Sequence, residues 1–372
     1  MGKTIVVLGG SLGGLAVTHR LLKYTQPHEE DLKVILVSKN SHFYWNIASV
    51  RAIVPNLIKD DQIIAAIQPG LAQYPRGSVE FIVGTATAVD ATSRTVQVDT
   101  GADGLCVLTY DHLVLATGAN SSDSNLPWKA CGSHDELLTN LHRTAKQVGA
   151  ARHIVIAGAG ATGVEVAGEI RFAFPKTTVV LISADASLLG GDSIAGSVER
   201  ELRRLGVEFR KGVRAEEATP LPDGKTRVVL SDGEELTTDL YLPSMGQSPN
   251  TGFLPTEWLN EHRYADVDTE MRVKAAENVW AVGDVVSKPR GSIQNTDAQA
   301  AGVAENIDLV LKGQHPQYVR GPAVDAFLCS TGRSRGAGRL GPVPIPSLAV
   351  WAIKGRTLAV ERTPKYVDGS MW

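Results

Sequence analysis

TIVVLGGSLGGL, residues 4–15, is the stretch whose reading decides the fold. Four apolar β-formers, Ile5 to Leu8, run into Gly9, Gly10, Gly13 and Gly14, and an apolar stretch with helical spacing begins at Leu15. Strand, tight turn and helix in that order begin a βαβ unit. Small residues let the backbone approach a pyrophosphate, and the helix N-terminus offers it free N–H groups. The spacing is Gly9, Ser11, Gly14, so a serine stands at the middle glycine of G-x-G-x-x-G. Alone, such a turn is a weak fingerprint.

A second copy strengthens it. Residues 153–169, HIVIAGAGATGVEVAGE, repeat the plan with Gly158, Gly160 and Gly163 intact and Thr162 inside the turn. The repeat extends further: Asp111 stands seven residues before Gly118 at the end of an apolar run, and Asp239 stands seven before Gly246. The pattern predicts an α/β protein with two Rossmann-like dinucleotide-binding domains and a small C-terminal α+β module. The first domain would be split, 1–124 and 247–319, around a second at 125–246, with the module at 320–372. The Ser, Asn, Asp and Pro-rich segment 120–127 marks the first boundary.

In such units the second strand ends in an acid about 20 residues past the glycines, where it binds the adenosine ribose. Here those positions are Ser38, followed by Lys39, and Ser183. Neither a carboxylate favouring NAD nor an arginine favouring NADP stands at 183, and Asp185 is a partial substitute, so NADH and NADPH both stay open as donors. Residues 40–54 bring four rings together, His42, Phe43, Tyr44 and Trp45. They are read as packing of a long connection, or as a loop partly lying against a cofactor with Arg51 near its phosphates or ring. Residues 79–110 read as a β-meander, 135–148 and 193–205 as helices, and a third helix runs from about Asp297, at or near its N-cap, to Leu311.

The chain of 372 residues is 43% hydrophobic and 21% charged, with a net charge of −3, which gives no polyelectrolyte signal for nucleic acid. Cys106, Cys131 and Cys329 form no C-x-x-C pair, so neither a metal site nor a thiol–disulfide mechanism is expected. No apolar run reaches the roughly 20 residues of a membrane span, and a cytoplasmic protein is expected. Two dinucleotide domains imply two nucleotides whose reactive rings meet between them. FAD in the first and NADH or NADPH in the second is the economical pairing, with hydride passing at about 3–3.5 Å.

The order of VVLGGSLGGL, LVLATGAN, IAGAGATGVEVAGE, GQSPNT and NVWAVGDVV resembles the two-dinucleotide flavoprotein reductases of the glutathione-reductase fold. KNSHFYWNIASVRA, LCSTGRSRGAG and KGRTL make it most similar to the apoptosis-inducing-factor-like branch, which includes ferroptosis suppressor protein and its fungal relatives. That resemblance implies that Gly9, Gly10, Ser11, Gly13 and Gly14 hold the FAD pyrophosphate, that Asp284 after Gly283 binds the ribitol, and that Thr117 and Gly118 line the flavin. It implies that Gly158, Gly160 and Gly163 take the nicotinamide pyrophosphate, with Glu165 near the nicotinamide and acting as its positioning residue. The helix opening near Asp297 and Ala298 would aim its positive end at the flavin. The expected activity is transfer of electrons from NAD(P)H through FAD to a quinone. Alternatives are a ferredoxin-like acceptor, a tailoring oxidoreductase of a biosynthetic pathway, and a redox-gated binding or cell-death factor without catalysis. Arg333, Arg335 and Arg339 are too few for a basic docking face. Phe327, Leu328, Leu348, Val350, Trp351 and Ile353 offer an apolar lining for a flat acceptor, or an ordinary small core. The oligomeric state is left open.

Overall fold

The computed structural model of the chain describes residues 2–29, 31–287 and 291–372. Strand Lys3–Leu8 is the centre of a five-stranded, wholly parallel sheet, ordered Val279–Ala281, His112–Leu115, Lys3–Leu8, Leu32–Ser38 and Val79–Val83. Parallel sheets are covered on both faces, so their strands are continuously apolar rather than alternating. Ile5 to Leu8 are accordingly buried throughout. The edge strand Val279–Ala281 comes from far down the chain, so this sheet is closed only after a second unit has been built. That unit carries its own parallel sheet, ordered Glu208–Lys211, Thr178–Ser183, His153–Ala157 and Leu240–Pro243. The chain leaves the first unit along Ala119–Ser121 and returns along Gln247–Pro249, and these two short strands pair antiparallel.

Both fingerprint turns depend on backbone that only glycine adopts cheaply. Gly9 has φ 117° and Gly158 has φ 108°. A Cβ at Gly14 would collide with the Gly9 carbonyl, and one at Gly163 with that of Gly158. The helices Leu12–Arg20 and Ala161–Ala173 therefore start tight against their strands.

Some expectations change in detail. The run 79–90 is two strands: Val79–Val83 joins the parallel sheet, and only Thr85–Asp90, Thr95–Asp99 and Leu105–Thr109 form the meander. The break falls at Gly84, where a side chain would meet Val98 and the Asp99 carbonyl. The helix expected at 135–148 is His134–Ala150, begun by Ser133 and Glu136 in a reciprocal capping box. The helix expected from 193 is Ala195–Leu205. The late helix is Ile293–Leu311, one turn longer than expected, because the Ser292 hydroxyl accepts the Asn295 N–H at 3.1 Å and caps it. Asp297 thus sits inside the helix and is not its cap.

The C-terminal residues form a three-stranded antiparallel sheet, Ala326–Ser330, Gly336–Leu340 and Val343–Ile345, followed by short helical turns. They lock onto the first unit through its aromatic run. Phe43 stacks on Tyr366 with ring centroids 5.6 Å apart, and Trp45 Nε1 donates to the Leu358 carbonyl at 2.8 Å. Phe43 and Trp45 are fully buried, so these two rings are packing.

Candidate functional site

A cavity of about 480 Å³ opens over the first fingerprint turn, lined by Gly9, Gly10, Ser11, Ser38, Lys39 and Thr117 among others. Its shape belongs to the missing side chains: a Cβ on Gly10 would strike Ser38. Ser38 does not project into a ligand-binding bond, because its hydroxyl donates to the Asn40 carbonyl at 2.8 Å. His42 and Tyr44 line the same cavity, so the aromatic loop divides between packing and lining. Thr117 is fixed by a reciprocal pair of bonds with Asn250, Thr117 Oγ1 donating to the Asn250 carbonyl and Asn250 Nδ2 to the Thr117 carbonyl, both at 2.9 Å. Gly118, with φ 66°, makes the turn that lets its carbonyl accept the Asn250 N–H at 3.0 Å. Gly13 lies against Val282 and Thr296 and serves helix packing. Ala298 is half-buried on the late helix and Gly283 donates its N–H to Gln299 at 2.8 Å; neither lines the cavity over the first fingerprint turn.

A second cavity of about 600 Å³ lies where the two units and the C-terminal residues meet. Its walls include Ile47 and Val50 from the first unit, Thr162 and Glu165 from the second, and Phe327 and Lys354 from the C-terminal residues, with Gly160 and Gly246 also on its lining. The space beside Gly160 is open, so the N-terminus of Ala161–Ala173 faces the cavity unobstructed. Gly291, Ser292 and Ile293 bring the start of the late helix to the lining of the same cavity, one turn before Asp297. Leu328 and Ile353 also line it, whereas Leu348 faces solvent and Val350 is core.

Glu165 is almost fully buried, and its Oε1 accepts from Lys354 Nζ at 2.6 Å, from the Ser330 N–H at 2.8 Å and from the Ser330 hydroxyl at 3.1 Å. Lys354 also donates to the Leu328 carbonyl at 3.0 Å. Burial pulls the Lys354 ammonium down, but the charge and hydrogen bond of Glu165, together with Cys329, hold its pKa above the ordinary lysine value. The cavity wall therefore carries a fixed ammonium–carboxylate pair. Lys354 was missed in the sequence; its only signal is its place at the head of KGRTL.

One helical turn on, Glu169 is fully buried and takes Arg51 in a two-toothed pair, 3.0 and 2.7 Å. Arg51 also donates to the Gly355 carbonyl at 2.6 Å and the Arg356 carbonyl at 3.0 Å. This corrects the expectation for Arg51: with its guanidinium turned to Glu169 and two carbonyls, it clamps three parts of the chain and lines none of the cavities. Asp284 accepts from Lys129 Nζ at 2.6 Å. Asp297 lines the second cavity, and the single Tyr366 hydroxyl proton is shared between its two carboxylate oxygens, at 3.0 and 2.9 Å. Burial raises the Asp297 pKa, with the Tyr366 bond opposing. The three arginines judged too few for a docking face have partners: Arg339 pairs with Asp192 and Asp325, Arg335 reaches Glu201 at 3.8 Å, and Arg333 lies over Phe172.

A third cavity of about 260 Å³ adjoins the second fingerprint, lined by Gly158, Gly160, Ser183, Asp185 and Arg214 among others. Ser183 again turns its hydroxyl inward, to the Ser187 carbonyl at 3.3 Å.

Two parallel nucleotide-type sheets, each with a glycine turn opening onto a cavity and a shared cavity between them, define a two-dinucleotide oxidoreductase. The chain belongs to the pyridine nucleotide-disulphide oxidoreductase family, whose model matches residues 3–302. FAD and NAD(P)H are the cofactors of this family, and the glycine-lined cavities are of the kind that accepts them. The chain is 36% identical to oxidoreductase ptaL of Pestalotiopsis fici over 99% of its length and 100% of the relative's. It is 27% identical to human ferroptosis suppressor protein 1, covering 97% of this chain and 95% of that one. Among solved structures, the sulfide:quinone oxidoreductase of Aquifex aeolicus superposes with a TM-score of 0.77 at 16% identity, covering 99% of this chain and 92% of that chain.

Proposed function

We propose that this NAD(P)H oxidoreductase delivers its electrons to a quinone-type acceptor in the second cavity. The observation that carries the reading is the lining of that cavity, where apolar Ile47, Val50, Phe327, Leu328 and Ile353 accompany the pair of buried Glu165 and partly exposed Lys354. A flat apolar acceptor fits such walls. FAD, when bound, supplies a ring that accepts hydride from the nicotinamide and passes electrons on. In this reading Gly9, Gly10, Ser11 and Gly14 carry its pyrophosphate on the N-terminus of Leu12–Arg20, and Thr117 and Asp284 meet its ribitol side. Gly158, Gly160, Thr162 and Gly163 carry the nicotinamide dinucleotide, and Glu165 orients its reactive end. Lys354 keeps its proton and places a positive charge where reduced rings develop negative charge. The domain division 1–124, 125–246, 247–319 and 320–372 belongs to the same proposal, as does a cytoplasmic setting. No helix among the described residues is long and apolar enough to cross a membrane.

The name of one structural neighbour, a sulfide:quinone oxidoreductase, supports the acceptor class. A protein acceptor such as a ferredoxin would want a positive docking face, and Arg339 is spent on Asp192 and Asp325 while Arg333 lies over Phe172. The test is stopped-flow reoxidation of NADPH-reduced, FAD-loaded protein. Fast reoxidation by a soluble benzoquinone or naphthoquinone, with oxygen far slower, is the expected result. Equal rates with all acceptors, or rapid reoxidation by ferredoxin alone, would sink it.

A further inference from the structure

The third cavity contains a side chain that the fingerprint does not predict. In the usual arrangement the adenosine 2′ position is read from the end of the second strand, here Ser183. That residue lines the cavity, but its hydroxyl donates to the Ser187 carbonyl at 3.3 Å. The next strand of the same sheet supplies the replacement. Glu208–Lys211 runs parallel to Thr178–Ser183, and the residues that follow it fold back over the strand end. Gly212 N–H donates to the Asp185 carbonyl at 3.3 Å and Val213 N–H to the Ser183 carbonyl at 3.1 Å. Gly212, at φ 72°, allows the chain to turn there.

Arg214 comes next and lines the cavity with Ser183 and Asp185. Its backbone is held on both sides by Ser231: its N–H donates to the Ser231 hydroxyl at 3.0 Å, and its carbonyl accepts the Ser231 N–H at 2.9 Å. The backbone is therefore fixed while the guanidinium stays available. Among the described residues no carboxylate forms an ion pair with Arg214, whereas its neighbour Arg210 is engaged by Glu234 at 3.0 Å. A planar cation with an anchored base, facing the cavity of a nucleotide-type turn, is suited to a phosphate monoester. Asp185 on the same wall suits a ribose hydroxyl and opposes a second negative charge.

We propose that Arg214 binds the adenosine 2′-phosphate, which makes NADPH the preferred hydride donor and leaves NADH a weaker one supported by Asp185. The proposal rests on the reading that this cavity takes the nicotinamide dinucleotide. It differs from a motif reading in that the selecting charge comes from the turn after the third strand, not from the end of the second.

Calorimetric titration of the FAD-loaded protein with 2′,5′-ADP and with 5′-ADP tests binding without turnover. The wild-type protein should bind 2′,5′-ADP about 10- to 100-fold more tightly, the range of one charged hydrogen-bonding contact. Arg214→Ala should bring the two ligands within about threefold, and Arg214→Lys should keep part of the difference. In flavin reduction, kcat/KM for NADPH should fall by a similar factor in Arg214→Ala, with NADH changed by less than about threefold. Equal binding of the two ligands by the wild-type protein overturns the proposal. So does an Arg214→Ala variant that weakens both ligands by the same factor, which would mean that the guanidinium stacks on the adenine common to both. If neither ligand binds and neither NADH nor NADPH reduces the flavin, the cavity is not a nicotinamide dinucleotide site, and the reading beneath the proposal falls instead.

Discussion

Arg51→Met removes the centre of the clamp that joins the two units to the C-terminal residues. The native guanidinium makes four bonds, two to Glu169 at 3.0 and 2.7 Å and two to the carbonyls of Gly355 and Arg356 at 2.6 and 3.0 Å. The Arg51 side chain is 6% exposed and that of Glu169 0%, so no water replaces the lost partner. Breaking a buried pair from one side costs about 3–5 kcal/mol, because the stranded charge keeps its desolvation penalty. Removing the carboxylate as well relieves that penalty, and Arg51→Met/Glu169→Leu should recover at least about 2 kcal/mol relative to the single variant. Urea unfolding followed by tryptophan fluorescence measures both quantities. Gly355 and Arg356 directly follow Lys354, so loosening them should also misplace the ammonium beside Glu165 and slow flavin reduction about tenfold. A cost for Arg51→Met below about 1 kcal/mol, or a double variant no more stable than the single one, would refute the argument that a buried uncompensated charge decides this site.

Gly14→Val would place methyl groups against the Gly9 carbonyl, where even a Cβ collides, so the purified variant should lose the yellow colour of bound FAD; retention of full flavin absorbance would refute the tight-turn argument. Burial lowers the pKa of His19 and of His112 to about 4, so both stay neutral in the folded protein while the unfolded chain protonates them near 6.5. Stability is therefore fully present above pH 6.5 and is lost as pH falls toward 4, by about 2 kcal/mol per histidine at pH 5. Urea midpoints measured from pH 7.5 to 5 should fall accordingly, and His19→Gln should remove about half of the drop; an unchanged slope in that variant would count against it.

The two nucleotide-type units were legible because their signals are local. Ile5–Leu8 and Ile154–Ala157 are apolar runs of strand length ending at glycines whose positive φ is forced by the turn itself. A residue's neighbours in sequence suffice to specify such geometry. The same holds for Ser133 and Glu136, a capping box visible as residue types three apart.

Side-chain partnerships across the chain were another matter. Lys354 meets Glu165 across 189 positions, Arg51 meets Glu169 across 118, and Tyr366 meets Asp297 across 69. No periodicity records which distant charges become neighbours; that follows from the sheet order and from how the C-terminal residues seat on both units. Ser38 and Ser183 show the converse. Spacing places them correctly at strand ends, but only the tertiary structure turns their hydroxyls to backbone carbonyls and brings Arg214, from another strand, to the cavity beside Ser183. The sequence by itself determined the strands, turns and glycine cradles, because these are set by short-range sterics. The charges that stand around the cavities were decided by the tertiary structure, because a charge's partner depends on which surfaces the folded chain buries together.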